Sequence, residues 1–244
     1  MKGPWVTPTS IFWEDQSSNP AVLRRIGRNG GSISSPHVAT GVGLYNFRLD
    51  RDVLYFLDGQ QVLKISSGTV MPEVVYANLS PCLVFDVEET SLYCLNASRQ
   101  LLTGSVTGAA LSIAYASFIP LACEVADLRV TTNAVYGFGR CSDDTGYVVR
   151  FDRNTGQRTT LLSGNASIKA ARYLVTSTDT VLFADTGGNP YTVYAMPAAV
   201  GAQAKLLLSN GPFLGLAVES TFVNAWRLAN TGNDGAAFVR FALP

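Results

Sequence analysis

Carboxylates recur in this sequence where short β-rich runs give way to turn-forming residues. Five of these positions carry an aspartate: Asp15, Asp58, Asp144, Asp185 and Asp234. Carboxylates that converge from several turns suit Ca²⁺ or Mg²⁺, which prefer oxygen ligands, and paired carboxylates also perform acid–base chemistry on glycosides. Aspartate is equally a residue of tight turns. The pattern therefore predicts either a metal or ligand site or a set of ordinary turns.

Two further charged residues, Glu124 and Arg172, stand near the start of a predicted strand in their own repeats. At that position they would line the same end of the sheets as the aspartates and would bind an anion or a sugar acid. A rim of ion pairs is the alternative interpretation, and ion pairs at a surface contribute little stability.

The chain has one histidine, His37, which we predict in the last strand of the first repeat, at the outer rim. A Ser-His-Asp or Cys-His centre would have to use this residue, and its predicted place argues against either. A zinc site built on several histidines is excluded by composition. The sequence therefore names no catalytic residue, and whether the protein is an enzyme stays open.

The bulk composition excludes several classes of partner. Lysine plus arginine equals aspartate plus glutamate at 18 each, so the formal net charge is zero, which argues against nucleic-acid binding. Hydrophobic residues make up 47% of the chain, enough for a packed core. No apolar run reaches the length of about 18 residues that a membrane span needs. No secretory leader is recognisable at the first residues, as in a mature fragment of an exported protein.

These residues are carried by an internal repeat. Six segments follow a pattern of an apolar residue, a polar or acidic one, three mixed residues and then an aliphatic–aromatic pair. They are 6–13, 49–56, 87–94, 130–137, 176–183 and 218–225, of which the last two keep the pattern less closely. The equivalent aliphatic positions are Ile11, Leu54, Leu92, Val135, Val181 and Val223, with spacings of 43, 38, 43, 46 and 42. Periods of about 40–45 residues are typical of β-propeller blades.

Each repeat predicts four strands, a to d, with the shared segment at the a–b hairpin. We therefore predict one all-β domain over residues 1–244, a six-bladed β-propeller of four-stranded antiparallel blades, since radial repetition protects the sheet edges. The predicted blades are approximately 5–40, 44–78, 82–117, 123–164, 171–210 and 213–244. The sixth lacks a d strand, so either it has three strands or the natural chain continues.

The a–b segments resemble the V-D-x-x-x-V-Y-W pattern of secreted bacterial six-bladed propellers, abundant in myxobacteria and similar to TolB-type propellers. The acidic position is filled by Asp50, Glu88 and Glu219, and the final tryptophan is kept as Trp13. The resemblance covers almost the whole chain, but the matching positions are structural. It implies the fold and export from the cytoplasm, and it implies no particular activity.

The four cysteines flank two of the predicted hairpins. Cys82 and Cys94 lie on either side of the third a–b turn, and Cys123 and Cys141 on either side of the fourth. Residues symmetric about an antiparallel turn lie opposite each other at a distance that suits a disulfide. We therefore predict the bonds Cys82–Cys94 and Cys123–Cys141; four buried thiols in a cytosolic core are the alternative. The bonds would place the protein outside the reducing cytosol, as a secreted, periplasmic or cell-surface protein.

Three functions are compatible with these residues. The first is an extracytoplasmic binding module that recognises a protein or a carbohydrate through its blade-connecting loops. The second is a metal-assisted hydrolase or lyase, with Ca²⁺ or Mg²⁺ held by the aspartates at the mouth of the central channel that a propeller encloses. The third is a structural domain of a longer secreted chain. Substitution of Asp144 and Asp185 by asparagine should abolish activity only in the second case.

Overall fold

The structure is a computed structural model. It describes residues 2–41, 43–77, 82–108, 110–143, 145–165, 171–176, 180–185, 192–199, 201–209, 213–219, 222–227 and 237–242. For residues 2–3, 165, 171–176, 183–185, 208–209 and the three strands after residue 212, the backbone alone is described. The regular structure across these ranges consists of 23 β-strands.

The strands form antiparallel sheets in which neighbours in sequence pair with one another. The first sheet contains β1 (Lys2–Val6), β2 (Ser10–Asp15), β3 (Val22–Gly27) and β4 (Ser34–Val38). The second contains β5 (Leu44–Asp50), β6 (Val53–Asp58), β7 (Gln61–Ser66) and β8 (Glu73–Tyr76). The third contains β9 (Cys82–Glu88), β10 (Ser91–Asn96), β11 (Leu101–Ser105) and β12 (Ser112–Tyr115).

The second half of the chain repeats this arrangement. The fourth sheet contains β13 (Cys123–Val130), β14 (Ala134–Cys141), β15 (Gly146–Asp152) and β16 (Arg158–Asn165). The fifth contains β17 (Ala171–Thr176), β18 (Thr180–Asp185), β19 (Thr192–Pro197) and β20 (Lys205–Ser209). The last described sheet has three strands, β21 (Phe213–Glu219), β22 (Phe222–Arg227) and β23 (Ala237–Ala242).

The repeated segment forms the same hairpin each time. Its first residue pairs with its sixth in all six copies: Val6 with Ile11, Leu49 with Leu54, Val87 with Leu92, Val130 with Val135, Thr176 with Val181, and Val218 with Val223. The aliphatic sixth residue of the segment, from which the repeat spacing was measured, therefore pairs at the same position of the hairpin in every copy. This confirms the a–b hairpins predicted from the sequence.

Each of these hairpins also contains an irregularity near its open end, which the sequence did not predict. In the second sheet the pairing shifts between Tyr45 and Arg48, and Asn46 has a φ of 54° there. The equivalent shift in the fourth sheet falls between Val125 and Asp127. A β-bulge bends its strand and increases the local twist. The first two strands of each sheet therefore twist away from flat pairing at the end where the candidate residues lie.

By packing, the chain divides into two compact units, residues 1–97 with 102–112, and residues 98–101 with 113–244. In the first unit β6 is buried on both faces, because Leu54 and Phe56 pack in one hydrophobic cluster and Tyr55 and Leu57 in another. A strand covered on both faces reads as a continuous apolar run rather than an alternating one. The second sheet thus lies between two hydrophobic layers.

The core of the second unit gathers around β14, where Tyr136 and Phe138 pack with Val148 and Met196. Gly137 lies between them because there is no room for a side chain: a Cβ atom there would lie 2.6 Å from a ring carbon of Phe118. Phe118 is itself fully buried. Gly137 is the last residue of its repeated segment, where the first two copies have Trp13 and Phe56. The packing of Phe118 thus explains why this copy has a glycine there.

Within each unit, the first strands of successive sheets lie beside one another. β5 contacts β9 in the first unit; in the second, β13 contacts β17, which contacts β21. Nowhere in the described ranges is there a helix with the length and apolar character needed to cross a membrane.

Candidate functional site

The candidate residues that the structure describes lie at one end of their sheets. In an antiparallel succession of four strands, the start of the first strand, the b–c turn and the end of the fourth strand share an end. In the first unit this end carries the β2–β3 turn, the β6–β7 turn and the connection 39–43 between the first two sheets.

Asp58 ends β6 and is almost fully buried, with 1% of its surface exposed. Its carboxylate accepts the backbone N–H of Thr40 at 3.0 Å and the Thr40 hydroxyl at 2.8 Å. His37 donates from Nε2 to the same carboxylate at 2.7 Å. A buried carboxylate is stable only when such donors replace its water. Asp58 therefore fixes the position of Thr40 in the connection between the first two sheets.

The sequence did not predict that His37 and Thr40 take part in this cluster. His37 does lie in the fourth strand of the first sheet, but its ring also packs on Phe56, with centroids 5.4 Å apart. The nearby Tyr45 hydroxyl donates to the carbonyl of Gly59 at 2.6 Å, and burial, followed by the charge of Asp58, raises the pKa of Tyr45. His37 and Asp58 are 21 residues apart, and no local pattern links them.

Glu14 is a second carboxylate that holds the same connection. It is completely buried, its Oε1 accepts the backbone N–H of Leu44 at 3.0 Å, and its Oε2 accepts from the Gln16 side chain at 3.0 Å. In β2 the buried positions alternate through Ser10, Phe12 and Glu14. That period of two was visible in the sequence and could have marked Glu14 as an inward-facing acid.

Asp15 points the other way and organises a turn. Its carboxylate accepts the hydroxyl of Ser17 at 2.6 Å and the Ser17 N–H at 3.1 Å, and Arg24 pairs with it at 3.2 Å. The Ser17 hydroxyl and N–H, with Arg24, hold the pKa of Asp15 below its usual range despite partial desolvation. These are the contacts of an Asx turn, so this aspartate already has the partners that a turn provides.

Asp143, in the β14–β15 turn, behaves in the same way. Its carboxylate accepts the Thr145 hydroxyl at 2.7 Å and the Thr145 N–H at 3.1 Å, which lower its pKa. The neighbouring Asp144, and also Asp234, lie outside the described residues.

The remaining candidates are placed by their strands. Glu124 is exposed in β13, directly opposite Arg140 in the ladder. Arg172 is the second residue of β17, and its neighbour Ala171 pairs with Asp185 at the end of β18, so both charged residues occupy the same end of the fifth sheet. The side chains of Arg172 and Asp185 are not among those described.

Both predicted disulfides are present, Cys82–Cys94 and Cys123–Cys141, with Cα separations of 5.7 and 3.7 Å. Cys123 and Cys141 lie directly opposite each other, as predicted. The geometric argument for the first pair was wrong in detail: Cys82 lies opposite Asn96, because the pairing shifts between Leu95 and Asn96. The bulge brings Cys82 within bonding range of Cys94 all the same.

Among the side chains that the structure describes, no group of three or more histidine, cysteine, aspartate or glutamate residues is arranged to hold a metal ion. Asp15 and Asp58 lie in the described part, and each directs its carboxylate at hydrogen-bond donors of the protein. The described part of the site is therefore a set of fixed connections.

No protein-family model matches the sequence, and no curated protein matches it. Solved β-propellers do match in structure. The N-terminal domain of Nup159 has a TM-score of 0.67 at 10% identity, over 99% of this chain and 76% of that one. A putative TolB from Agrobacterium tumefaciens has a TM-score of 0.64 at 9% identity, over 86% and 80%. A chain of the nidogen/laminin complex has a TM-score of 0.59 at 14% identity, over 84% and 76%. This likeness and the repeated sheets establish that the chain has a β-propeller repeat fold.

Proposed function

We propose that the chain is a single six-bladed β-propeller over residues 1–244 that serves as an extracytoplasmic binding module. Its ligand, a protein or a carbohydrate, is held by the connections at the end of the sheets described above. Six copies of the repeated hairpin support the blade count, together with five four-stranded sheets and one of three strands among the described residues.

The observation that carries the proposal is the way the connection between the first two sheets is fixed at Thr40 and at Leu44. Asp58 holds its Thr40 end and Glu14 holds the N–H of Leu44 that follows it. Connections fixed by buried side chains lose little conformational entropy when a ligand binds, which favours affinity. Binding residues also concentrate on loops that a rigid scaffold positions. A carboxylate surrounded by donors of the protein is less suited to attack a substrate than to hold a loop.

Two observations support the compartment and the class of ligand. The two disulfides favour an oxidising environment, and the resemblance to secreted bacterial propellers agrees with export. One structural neighbour comes from a complex of two proteins, nidogen and laminin. We therefore put a protein ligand first and a carbohydrate second.

The test is a binding screen with paired surface variants. The oxidised protein is immobilised and exposed to purified extracellular proteins and soluble polysaccharides, with binding measured by interferometry. Gln60→Arg and Ser142→Arg place a bulky cation in exposed b–c turns. Thr90→Arg and Thr132→Arg are the matched controls, because they make the same change in exposed a–b turns at the opposite end of the sheets.

We expect the b–c variants to weaken binding at least tenfold and the a–b variants to leave the Kd within about twofold. Loss of binding in the a–b variants alone would place the ligand at the other end of the sheets. Absence of binding to every member of a broad panel would count against a binding module of either kind.

A further inference from the structure

The two disulfides occupy corresponding places in successive sheets but differ in burial. Cys82 and Cys94 are 7% and 0% exposed and belong to the same hydrophobic cluster as Phe85 and Leu92. Cys123 is 2% exposed, whereas its partner Cys141 is partly exposed at the last position of β14. The second disulfide is therefore the less buried of the two, and Cys141 is its more exposed residue.

The second disulfide lies at the open end of the β13–β14 ladder, where Cys123 and Cys141 face each other. The Ser142 N–H donates to the carbonyl of Ala122 at 3.1 Å, and the Cys141 N–H donates to the carbonyl of Thr145 at 2.9 Å. Ala122 precedes Cys123 and Ser142 follows Cys141. The disulfide and the hydrogen bond between Ser142 and Ala122 therefore join the same two chain segments. Asp143 and Thr145 complete the turn through their own hydrogen bonds.

We propose that Cys123–Cys141 is a thiol-labile disulfide that controls the hydrogen bonds of the Cys141 and Ser142 amides at the end of β14, while Cys82–Cys94 is a permanent structural bond. Disulfides that thiols can reach are the labile or regulatory ones, and buried disulfides in packed cores resist exchange. This inference goes beyond the proposed function, and it holds whatever ligand the turn meets.

The exchange uses a dithiol such as dithiothreitol and is balanced in electrons. A thiolate of the reductant attacks the sulfur of Cys141, the Cys123–Cys141 bond breaks, and Cys123 leaves as a thiolate. The second thiol of the reductant then attacks the mixed disulfide, and Cys141 leaves as a thiolate. The protein gains two electrons and two protons, and the reductant becomes its cyclic disulfide.

The first experiment follows reduction of the folded protein. It is incubated with millimolar dithiothreitol at mildly alkaline pH, sampled at intervals, alkylated with iodoacetamide and analysed by peptide mass spectrometry. We expect Cys123 and Cys141 to be alkylated together, at least tenfold faster than Cys82 and Cys94. Equal rates for both pairs, or earlier alkylation of Cys82 and Cys94, would overturn the proposal. The Cys82→Ser/Cys94→Ser variant should reduce its remaining disulfide at the wild-type rate.

The second experiment tests control of the turn by amide hydrogen exchange. In the selectively reduced protein, exchange at Cys141 and Ser142 should rise at least tenfold, while amides in the middle of β14 keep their protection. The Cys123→Ser/Cys141→Ser variant should show the same exchange without any reductant. Unchanged exchange at both amides, in a protein shown to be reduced there, would overturn the switch even if the disulfide proved labile.

Discussion

At the scale of single residues, the carboxylate of Asp58 is the clearest polar target for substitution. It is buried and serves three donors from His37 and Thr40. We expect Asp58→Asn to lower the free energy of unfolding by about 3 kcal/mol, because the asparagine NH2 group replaces one acceptor oxygen and then faces the buried donors of His37 and Thr40. The measurement is urea unfolding at neutral pH.

The matched control is Asp15→Asn, since Asp15 is at an equivalent strand end but pairs with Ser17 and Arg24 near the surface. Its loss should be much smaller than that of Asp58→Asn. If the two variants unfold at the same urea concentration, Asp58 does not stabilise the connection. The interpretation of that carboxylate as a ligand-binding group would then gain weight.

Acid sensitivity should come in part from Asp152, whose carboxylate accepts the Thr155 and Asn154 N–H groups at 3.0 Å each. The Thr155 N–H and then Arg150 lower the pKa of Asp152 to about 2. An aspartate with a lowered pKa adds stability above its unfolded pKa of about 4, and this stability is lost as the pH falls towards 2. Asp152→Asn should therefore flatten the fall of the urea midpoint between about pH 4 and pH 2.

Arg150→Gln is the informative companion to this variant. It removes the ion pair at 2.9 Å but keeps the backbone donors of the turn, so most of the pH dependence should remain. A midpoint that falls with the wild-type slope in Asp152→Asn would contradict the assignment. Asp15 and Asp143, whose pKa values are also lowered, would then be the next described carboxyl groups to test.

At the scale of strands and hairpins, the sequence predicted what is local. The hairpin of each repeat follows from residues five positions apart that pair across a turn in all six copies, and both are apolar in every copy except the fifth, where Thr176 takes the first place. The bulges were not predictable, because they depend on how the open end of each hairpin is held. The contact of Glu14 with Leu44 spans 30 residues, so it exists only once two sheets have packed. The candidate site was located by strand end, while the partners of its side chains were not.

Gly137 gives a test of the packing within the fourth sheet. Its missing Cβ would lie 2.6 Å from the ring of buried Phe118 and 3.1 Å from Val149. We expect Gly137→Ala to cost about 1–3 kcal/mol through overpacking, measured by urea unfolding. Gly41→Ala should change stability by less than about 0.5 kcal/mol, because no atom lies within 4 Å of the added methyl group.

Partial rescue identifies the cause. Phe118→Leu removes the ring from the space that the new methyl group needs. In the Gly137→Ala background it should therefore cost less than it does alone. If the two losses simply add, the clash with Phe118 is not what makes the glycine necessary.

At the scale of the whole molecule, a metal site and a binding module predict different responses to divalent ions. Within the described part of the chain, Asp15 and Asp58 already have protein donors, so the module predicts the same melting temperature in EDTA and in millimolar Ca²⁺ or Mg²⁺. A divalent ion that binds to the native state would raise the melting temperature. A rise that is lost in Asp144→Asn/Asp185→Asn would favour the metal-assisted hydrolase or lyase instead.

The proposed closed ring of six blades makes a prediction about cooperativity. In a closed ring every sheet is flanked by two others, so no sheet offers an end from which unfolding can start alone. We expect a single calorimetric transition with equal calorimetric and van't Hoff enthalpies, roughly 170 kcal/mol near 60 °C for 244 residues.

Phe12→Ala and Phe138→Ala remove fully packed side chains from the first and second unit, at a cost of about 4 kcal/mol each. Each variant should lower the midpoint temperature of that one transition without splitting the transition in two. Two transitions, of which Phe12→Ala shifts one and Phe138→Ala the other, would mean that the units fold independently and that the chain is not one closed domain.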